Sequence, residues 1–283
     1  MPIGAHMSIT GGMHKALERG EEVGCETIQL FVKSNMQWKV TPLTEEAVQQ
    51  FTATRKATGI SPLVSHLSYL VNIAATDRTT LKRSRQSFPI EHEYTERLGI
   101  EYLVIHPGAH MGAGEAAALK KIARYLNAVH KKTTDYTSKI LLETTAGQGT
   151  YVCYRFEHIA RILEMLDEPE RVGVCYDTSH TFAAGYDIRT ETAYRKTFRE
   201  FDKVVGLKWL KVFHLNDSKA AFESRVDRHE HIGRGHLGLE PFRLLLNDRR
   251  FKKLPMILET PKGEEKGVSL DAINLGTLRS LLK

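Results

Sequence analysis

Eight short apolar runs, each separated from the next by a longer stretch, limit what this chain can fold into more than any other feature. They are Ile3 to His6, Thr27 to Val32, Pro62 to His66, Tyr102 to His106, Ile140 to Glu143, Val172 to Asp177, Val212 to Leu215 and Met256 to Glu259. Runs of four to six residues, often β-branched, suit strands buried on both faces, which is how parallel sheets are built. Between them apolar residues recur at helical spacing, as from Leu81 to Leu98, Ala116 to Val129, Phe156 to Leu166, Ala193 to Val205 and Val268 to Leu282. A strand followed by a helix, eight times over, describes a (β/α)8 barrel, the TIM-barrel fold, for which about 250 residues is typical. No Pro/Gly/Ser linker or block of like charge divides the chain, so residues 1–283 are expected to form a single domain.

The strand ends carry the chemistry. Read to their C-terminal ends, the runs give His6, His66, His106, Glu143, Asp177, His214 and Glu259. In a parallel barrel these ends open on one face, where active sites of this fold sit. Two loops add candidates. His180 follows Asp177 by three residues, and Asp227-Arg228-His229 in an extended segment puts two side chains on one side of the backbone. The candidate ligands are therefore His66, His106, Glu143, Asp177, His180, His214, Asp227, His229 and Glu259. Imidazoles and carboxylates without thiolates suit Zn, Mn or Fe, and nine ligands exceed what one ion takes, implying two or three. Paired ions serve hydrolysis, above all of phosphodiesters.

Composition agrees. Forty Lys and Arg against 34 Asp and Glu leave a charge of +6, compatible with a polyanionic partner. A mean hydropathy of −0.32 with 26% charged residues excludes both a disordered chain and a membrane span. Three cysteines without Cys-x-x-Cys spacing argue against a disulfide framework and for a reducing compartment. With no signal-peptide pattern at the N-terminus, a cytoplasmic location is expected.

Several segments resemble the signature segments of the endonuclease IV family of apurinic/apyrimidinic (AP) endonucleases. They are Ile3-Gly-Ala-His-Met-Ser8, Gly173-Val-Cys-Tyr-Asp-Thr-Ser-His180, Phe213-His-Leu-Asn-Asp217, Ser224-Arg-Val-Asp-Arg-His229 followed by Gly233-x-Gly235, and Leu258-Glu-Thr260. The match runs in the family's order over nearly the whole chain. The resemblance implies three zinc ions, with manganese possible at one or more positions. His66, His106 and a bridging Glu143 would hold the first; Glu143, Asp177, His214 and Glu259 the second; His180, Asp227 and His229 the third. It also implies a reaction: hydrolysis of the phosphodiester 5′ to an abasic site by a metal-bound hydroxide, leaving a 3′-hydroxyl and a 5′-deoxyribose phosphate. Glu143, Asp177 and Glu259 are the carboxylates assigned to catalysis, and removal of blocked 3′ ends is a second implied activity.

The same resemblance directs attention to two rim loops, Lys33 to Trp38 and Ser68 to Leu70, as the parts that meet double-stranded DNA. Tyr69 and Leu70 stand where the family places wedging residues. Met36 occupies the place of a commonly inserted Arg: it can wedge between base steps but cannot bind a phosphate. Gln37 shares that loop, and Lys33, Lys39, Arg225 and Arg228 are candidates for phosphate contacts. His6 is expected to orient a ligand or touch DNA, with His231 the alternative ligand to His229. His110 and His236 have no assigned role, His14, His92, His130 and His158 are read as surface or packing residues, and Cys175 as core filler. A monomer is expected, with no membrane partner. A sugar isomerase on the same architecture would not need His180 with Asp227-x-His229, and a non-catalytic DNA-binding protein would not need all nine ligands.

Overall fold

The computed structural model describes residues 1–283 and contains the eight expected strands in one closed, all-parallel barrel. The strands are β1 (Ile3–His6), β2 (Thr27–Phe31), β3 (Leu63–His66), β4 (Tyr102–Ile105), β5 (Lys139–Glu143), β6 (Val172–Asp177), β7 (Leu210–His214) and β8 (Met256–Leu258). Each pairs with its neighbours in sequence, and β1 closes the ring against β8. Gly4 makes one of these pairings possible: a Cβ there would fall 1.6 Å from the Thr27 carbonyl oxygen of β2.

Nine helices follow the strands, all but the short and wholly buried α6 on the outside: α1 (His14–Glu22), α2 (Glu45–Thr58), α3 (Arg78–Arg97), α4 (Glu115–His130), α5 (Phe156–Glu164), α6 (Thr178–Ala183), α7 (Glu191–Val204), α8 (Glu240–Leu246) and α9 (Leu270–Ser280). Capping explains several boundaries. Asp77 accepts from the Thr80 amide, so α3 starts a turn earlier than its apolar spacing suggests. Thr44 caps α2 and the left-handed Gly59 ends it, although Phe51 is the one buried residue of that helix. No helix is long and apolar enough to cross a membrane.

Strand alternation explains how the interior is filled. Val64, Val104, Leu141, Cys175, Val212 and Ile257, one from each of β3 to β8, are fully buried and form a cluster of their own. Each lies two residues before a candidate ligand: His66, His106, Glu143, Asp177, His214 and Glu259. A period of two keeps both residues on the inner side of the barrel. The apolar layer therefore floors the polar one, and Cys175 belongs to that floor. Larger apolar side chains fill the space between strands and helices. Burying each such Leu, Ile or Phe favours folding by about 1.5–3 kcal/mol.

Beyond β7 the chain folds back. Asp217–Ser218 pairs antiparallel with His229–Glu230, setting Ser218 beside His229 and turning Asp227-x-His229 toward the barrel mouth.

Candidate metal centre

The nine candidate ligands converge in one connected cluster at the C-terminal ends of the strands. Glu143, at the end of β5, lies at its centre. Its Oε2 is 3.1 Å from Nε2 of both His66 and His106, while its Oε1 is 2.9 Å from His214 Nδ1. His214 Nδ1 is also 3.1 Å from Glu259 Oε2 and 3.8 Å from Asp177 Oδ2. Asp177 and His214 are direct neighbours across the β6–β7 ladder. His180 arrives by a different device. Asp177 accepts from the His180 amide at 2.7 Å and so caps α6, fixing the first turn of that helix over the cluster. His180 Nε2 is then 3.1 Å from Asp227 Oδ1 and 3.3 Å from His229 Nε2.

The outward nitrogen of most of these imidazoles is already committed. His66 Nδ1 faces the Leu67 carbonyl at 2.7 Å, His180 Nδ1 the Thr144 carbonyl at 2.9 Å, and His229 Nδ1 the Glu259 carbonyl at 3.3 Å. A carbonyl can only accept, so each fixes the N–H on that side and leaves Nε2 as the donor pair facing inward. His214 is turned the other way: its Nε2 donates to Gln29 Oε1 at 2.8 Å, and Nδ1 faces the carboxylates. Gln29, from β2, also donates to Glu259 Oε1 at 2.5 Å and to His6 Nδ1 at 2.9 Å. Burial lowers the His6 pKa to about 3, so its neutral ring is free to accept that bond. His6 thus meets Glu259 chiefly through Gln29. Asn216 completes the frame, donating to Asp177 Oδ2 and accepting from the Glu259 amide, both at 2.8 Å.

The electrostatics are those of a site built for cations. Glu143 and Asp177 are fully buried, yet the ion-pair partners of all four carboxylates are histidines, with no Lys or Arg among them. Burial alone would raise the carboxyls of Glu143 and Glu259. The neighbouring His106 and His214 instead hold Glu143 well below the usual range, and His214 does so for Glu259. Conversely, Asp177 and Asp227 raise the pKa of His180 well above its usual value against its burial, and Glu259 and Glu143 do the same for His214. Without an ion the cluster neutralises itself by protonating imidazoles. A divalent cation would displace those protons and satisfy the same carboxylates.

Above the cluster opens a cleft of about 460 Å³, lined by Tyr69, His106, Gln148, Tyr151, Arg228 and Glu259 among others. Tyr69 is 46% exposed, its ring edge-on to Phe31 and His106 and tilted against His66. Leu70 is half-buried beside it. Met36, 74% exposed, and Gln37 form the tip of the neighbouring loop, and Lys39, Arg225 and Arg228 are exposed. Lys33 departs from its expected role as a phosphate contact. It is only 5% exposed, with its ammonium donating to the carbonyls of Ser34 and Gln37 at 3.0 and 2.6 Å. It also lies 3.7 Å from Glu91, which accepts from the Ser68 amide at 2.8 Å. The charge of Lys33 is spent on tying the two rim loops together, because a buried ammonium needs those acceptors.

Residues 17–277 match the family described as Xylose isomerase-like TIM barrel. A probable endonuclease 4 of Chloroflexus aggregans is 50% identical over 280 residues, covering 99% of this chain and 97% of the relative. One from Geobacter sulfurreducens is 49% identical over 281 residues, with 99% and 94% covered. The crystal structure of endonuclease IV from Thermus thermophilus superposes with a TM-score of 0.87 at 34% identity, covering 99% of this chain and 98% of that one. The chain belongs to the endonuclease IV family.

Against the ligand sets that an endonuclease IV implies, the geometry gives three groups whose donor atoms lie within 4.8 Å of one another. These are His66, His106 and Glu143; Glu143, Asp177, His214 and Glu259; and Asp177, His180 and His229. The first two coincide with the expected sets. In the third, Asp177 stands where Asp227 is expected, and Asp227 lies beside it, 3.8 Å from His229 Nε2. His231 accepts from Asn274 instead and belongs to no group, so it does not replace His229. His110 receives amides of its own loop, His236 is exposed, and His92, His130 and His158 are buried in the helical layer. Several residues of this site carry no sequence signal of their own. Gln29 is a neutral amide inside an apolar run, Asn216 and Thr144 look like ordinary loop residues, and Gln148 accepts from the Asp227 amide at 2.9 Å.

Proposed function

We propose that this chain is a DNA-repair endonuclease that hydrolyses the phosphodiester 5′ to abasic sites in duplex DNA, leaving a 3′-hydroxyl and a 5′-deoxyribose phosphate. It also removes blocked 3′ ends. The observation that carries the reading is the three interlocking ligand groups at the floor of an open cleft, whose carboxylates have only histidines as ion-pair partners. His66, His106 and Glu143 hold one zinc, Glu143, Asp177, His214 and Glu259 a second, and His180, His229 and Asp227 a third, with manganese accepted at one or more of them. When bound, ions so placed activate water and stabilise the attacking and leaving oxygens of an in-line displacement.

The protein's own residues do the rest. Glu143 joins two groups because its two oxygens face different imidazoles. Glu143, Asp177 and Glu259 are the carboxylates nearest the chemistry, and Gln29 and Asn216 keep the last two aimed. An abasic nucleotide has no base to unpair, so it leaves the stack at lower cost than a normal one. Tyr69, Leu70, Met36 and Gln37 fill the gap it leaves, and Arg228 meets a backbone phosphate. One barrel mouth suffices for one duplex, so the enzyme acts as a monomer, in the cytoplasm with no membrane partner.

A duplex with one abasic analogue, incubated with the metal-loaded protein, is expected to be cut on the 5′ side only, and not after strong chelation. Uncut duplex with full metal content would refute the reading.

A further inference from the structure

A second concave surface lies outside the barrel mouth, in the helical layer between α3 and α4. It encloses about 510 Å³, and Arg85 of α3, Lys121 and Arg124 of α4, and Lys132 just past the end of α4 all line it. No carboxylate lines it. Lys121 donates to the Ala75 carbonyl at 3.1 Å, which anchors its stem but leaves its charge uncompensated. Between the cations the floor is apolar, formed by Pro89 and the ring of Tyr125, which stands edge-on to Phe88. The Tyr125 hydroxyl is buried without a hydrogen-bond partner. None of these residues lines the cleft above the metal cluster.

We propose that this groove binds a small organic phosphate of about mononucleotide size, its phosphate held by Arg85, Lys121 and Arg124 and its ring lying on Pro89 and Tyr125. Unpaired cations around a concave surface focus a positive potential, and the planar fork of Arg matches phosphate oxygens two at a time. Inorganic phosphate would leave the apolar floor uncovered, and an uncharged nucleoside would leave four cations facing one another. Both a free mononucleotide and the phosphorylated end of a strand carry the required chemistry.

Calorimetric titration of the metal-loaded full chain tests this, with adenosine 5′-monophosphate, inorganic phosphate, adenosine and a 5′-phosphorylated dinucleotide as probes. The monophosphate is expected to bind at least about tenfold more tightly than phosphate or adenosine. Arg85→Glu with Arg124→Glu, and separately Arg124→Ala, should weaken it by about tenfold or more while leaving duplex incision and thermal midpoint unchanged. Because both arginines are exposed and neither lines the cleft above the metal ligands, a loss confined to these variants identifies the groove rather than the barrel mouth. A dinucleotide as tight as the mononucleotide assigns the site to strand ends, and a weaker one to free nucleotides; both uphold the proposal. No binding at about 1 mM, equal affinity for inorganic phosphate, or affinity unchanged in both variants would overturn it.

Discussion

Gln29→Leu is the most informative single change in this site, because one buried amide serves three partners at the ends of three different strands. It donates to Glu259 Oε1 and His6 Nδ1 and accepts from His214 Nε2. Leucine fills similar space and removes all three bonds. The His214 N–H is then buried without an acceptor and Glu259 loses a charge-assisted bond, together a loss of roughly 3 kcal/mol from the metal-free fold. In a chain of this size that lowers the thermal midpoint by roughly 5–10 °C. His214 is also released to rotate, and losing such an outer partner weakens metal binding by about 10–100-fold. Gln29→Glu separates the contributions: it keeps an acceptor for His214 but removes both donors and sets a second carboxylate against Glu259. It should therefore bind zinc more tightly than the Leu variant if orientation of His214 dominates, and less tightly if aiming Glu259 does. Zinc titration against a chromophoric chelator, with thermal unfolding of the chelator-treated protein, reads both effects. A Leu variant with zinc affinity within about twofold of wild type and an unchanged midpoint would refute the positioning role.

Glu143→Gln should lose at least one ion by elemental analysis and slow incision by more than about 10³-fold, equivalent to about 4 kcal/mol, because both its oxygens face imidazoles. Met36→Arg adds a cation at the exposed loop tip and should tighten binding to an abasic duplex by up to about tenfold at low salt; no gain would show that this loop does not penetrate the base stack. His92, buried against Phe88 and Tyr136 with neither ring nitrogen paired, has its pKa lowered by burial to about 4. Because the unfolded chain binds the proton first, stability is complete above pH 6.5 and falls as pH drops toward 4, by about 2 kcal/mol at pH 5. Denaturant unfolding at pH 7 and pH 5 should show His92→Leu losing that much less than wild type over the interval.

Six ligands were legible in the sequence because a parallel barrel converts a simple rule into position. Apolar residues at Val64, Val104, Leu141, Cys175, Val212 and Ile257 face inward, and two residues further on the next inward side chain reaches the mouth. A His or carboxylate at that step can be found by counting. Gln29 escaped because it breaks the run of β2 with a neutral amide, whose importance depends on His6, His214 and Glu259 arriving from other strands. Lys33 misled for the same reason. A lysine in a rim loop reads as solvated charge until Glu91, on α3, is seen beneath it. The helical layer was partly legible for a related cause: α2 buries only Phe51, so its apolar pattern is faint and its caps carry the signal.

The three ways in which the fold delivers ligands differ in backbone support, and that support falls off toward the edge of the cleft. His66, Glu143, Asp177 and His214 belong to the barrel ladder, with His106 and Glu259 immediately beyond it, and their backbones cannot shift without breaking it. His180 rides on α6, pinned by the cap that Asp177 supplies. Asp227 has neither support. Its amide is held by Gln148 from the opposite loop, its side chain is 38% exposed, and the neighbouring Arg228 faces open solvent. The ligand with least backbone support thus lies at the cleft edge, while the buried ones are held below it. The carboxylate of Asp177 also lies within reach of His180 and His229, so the geometry of their group does not depend on Asp227 alone.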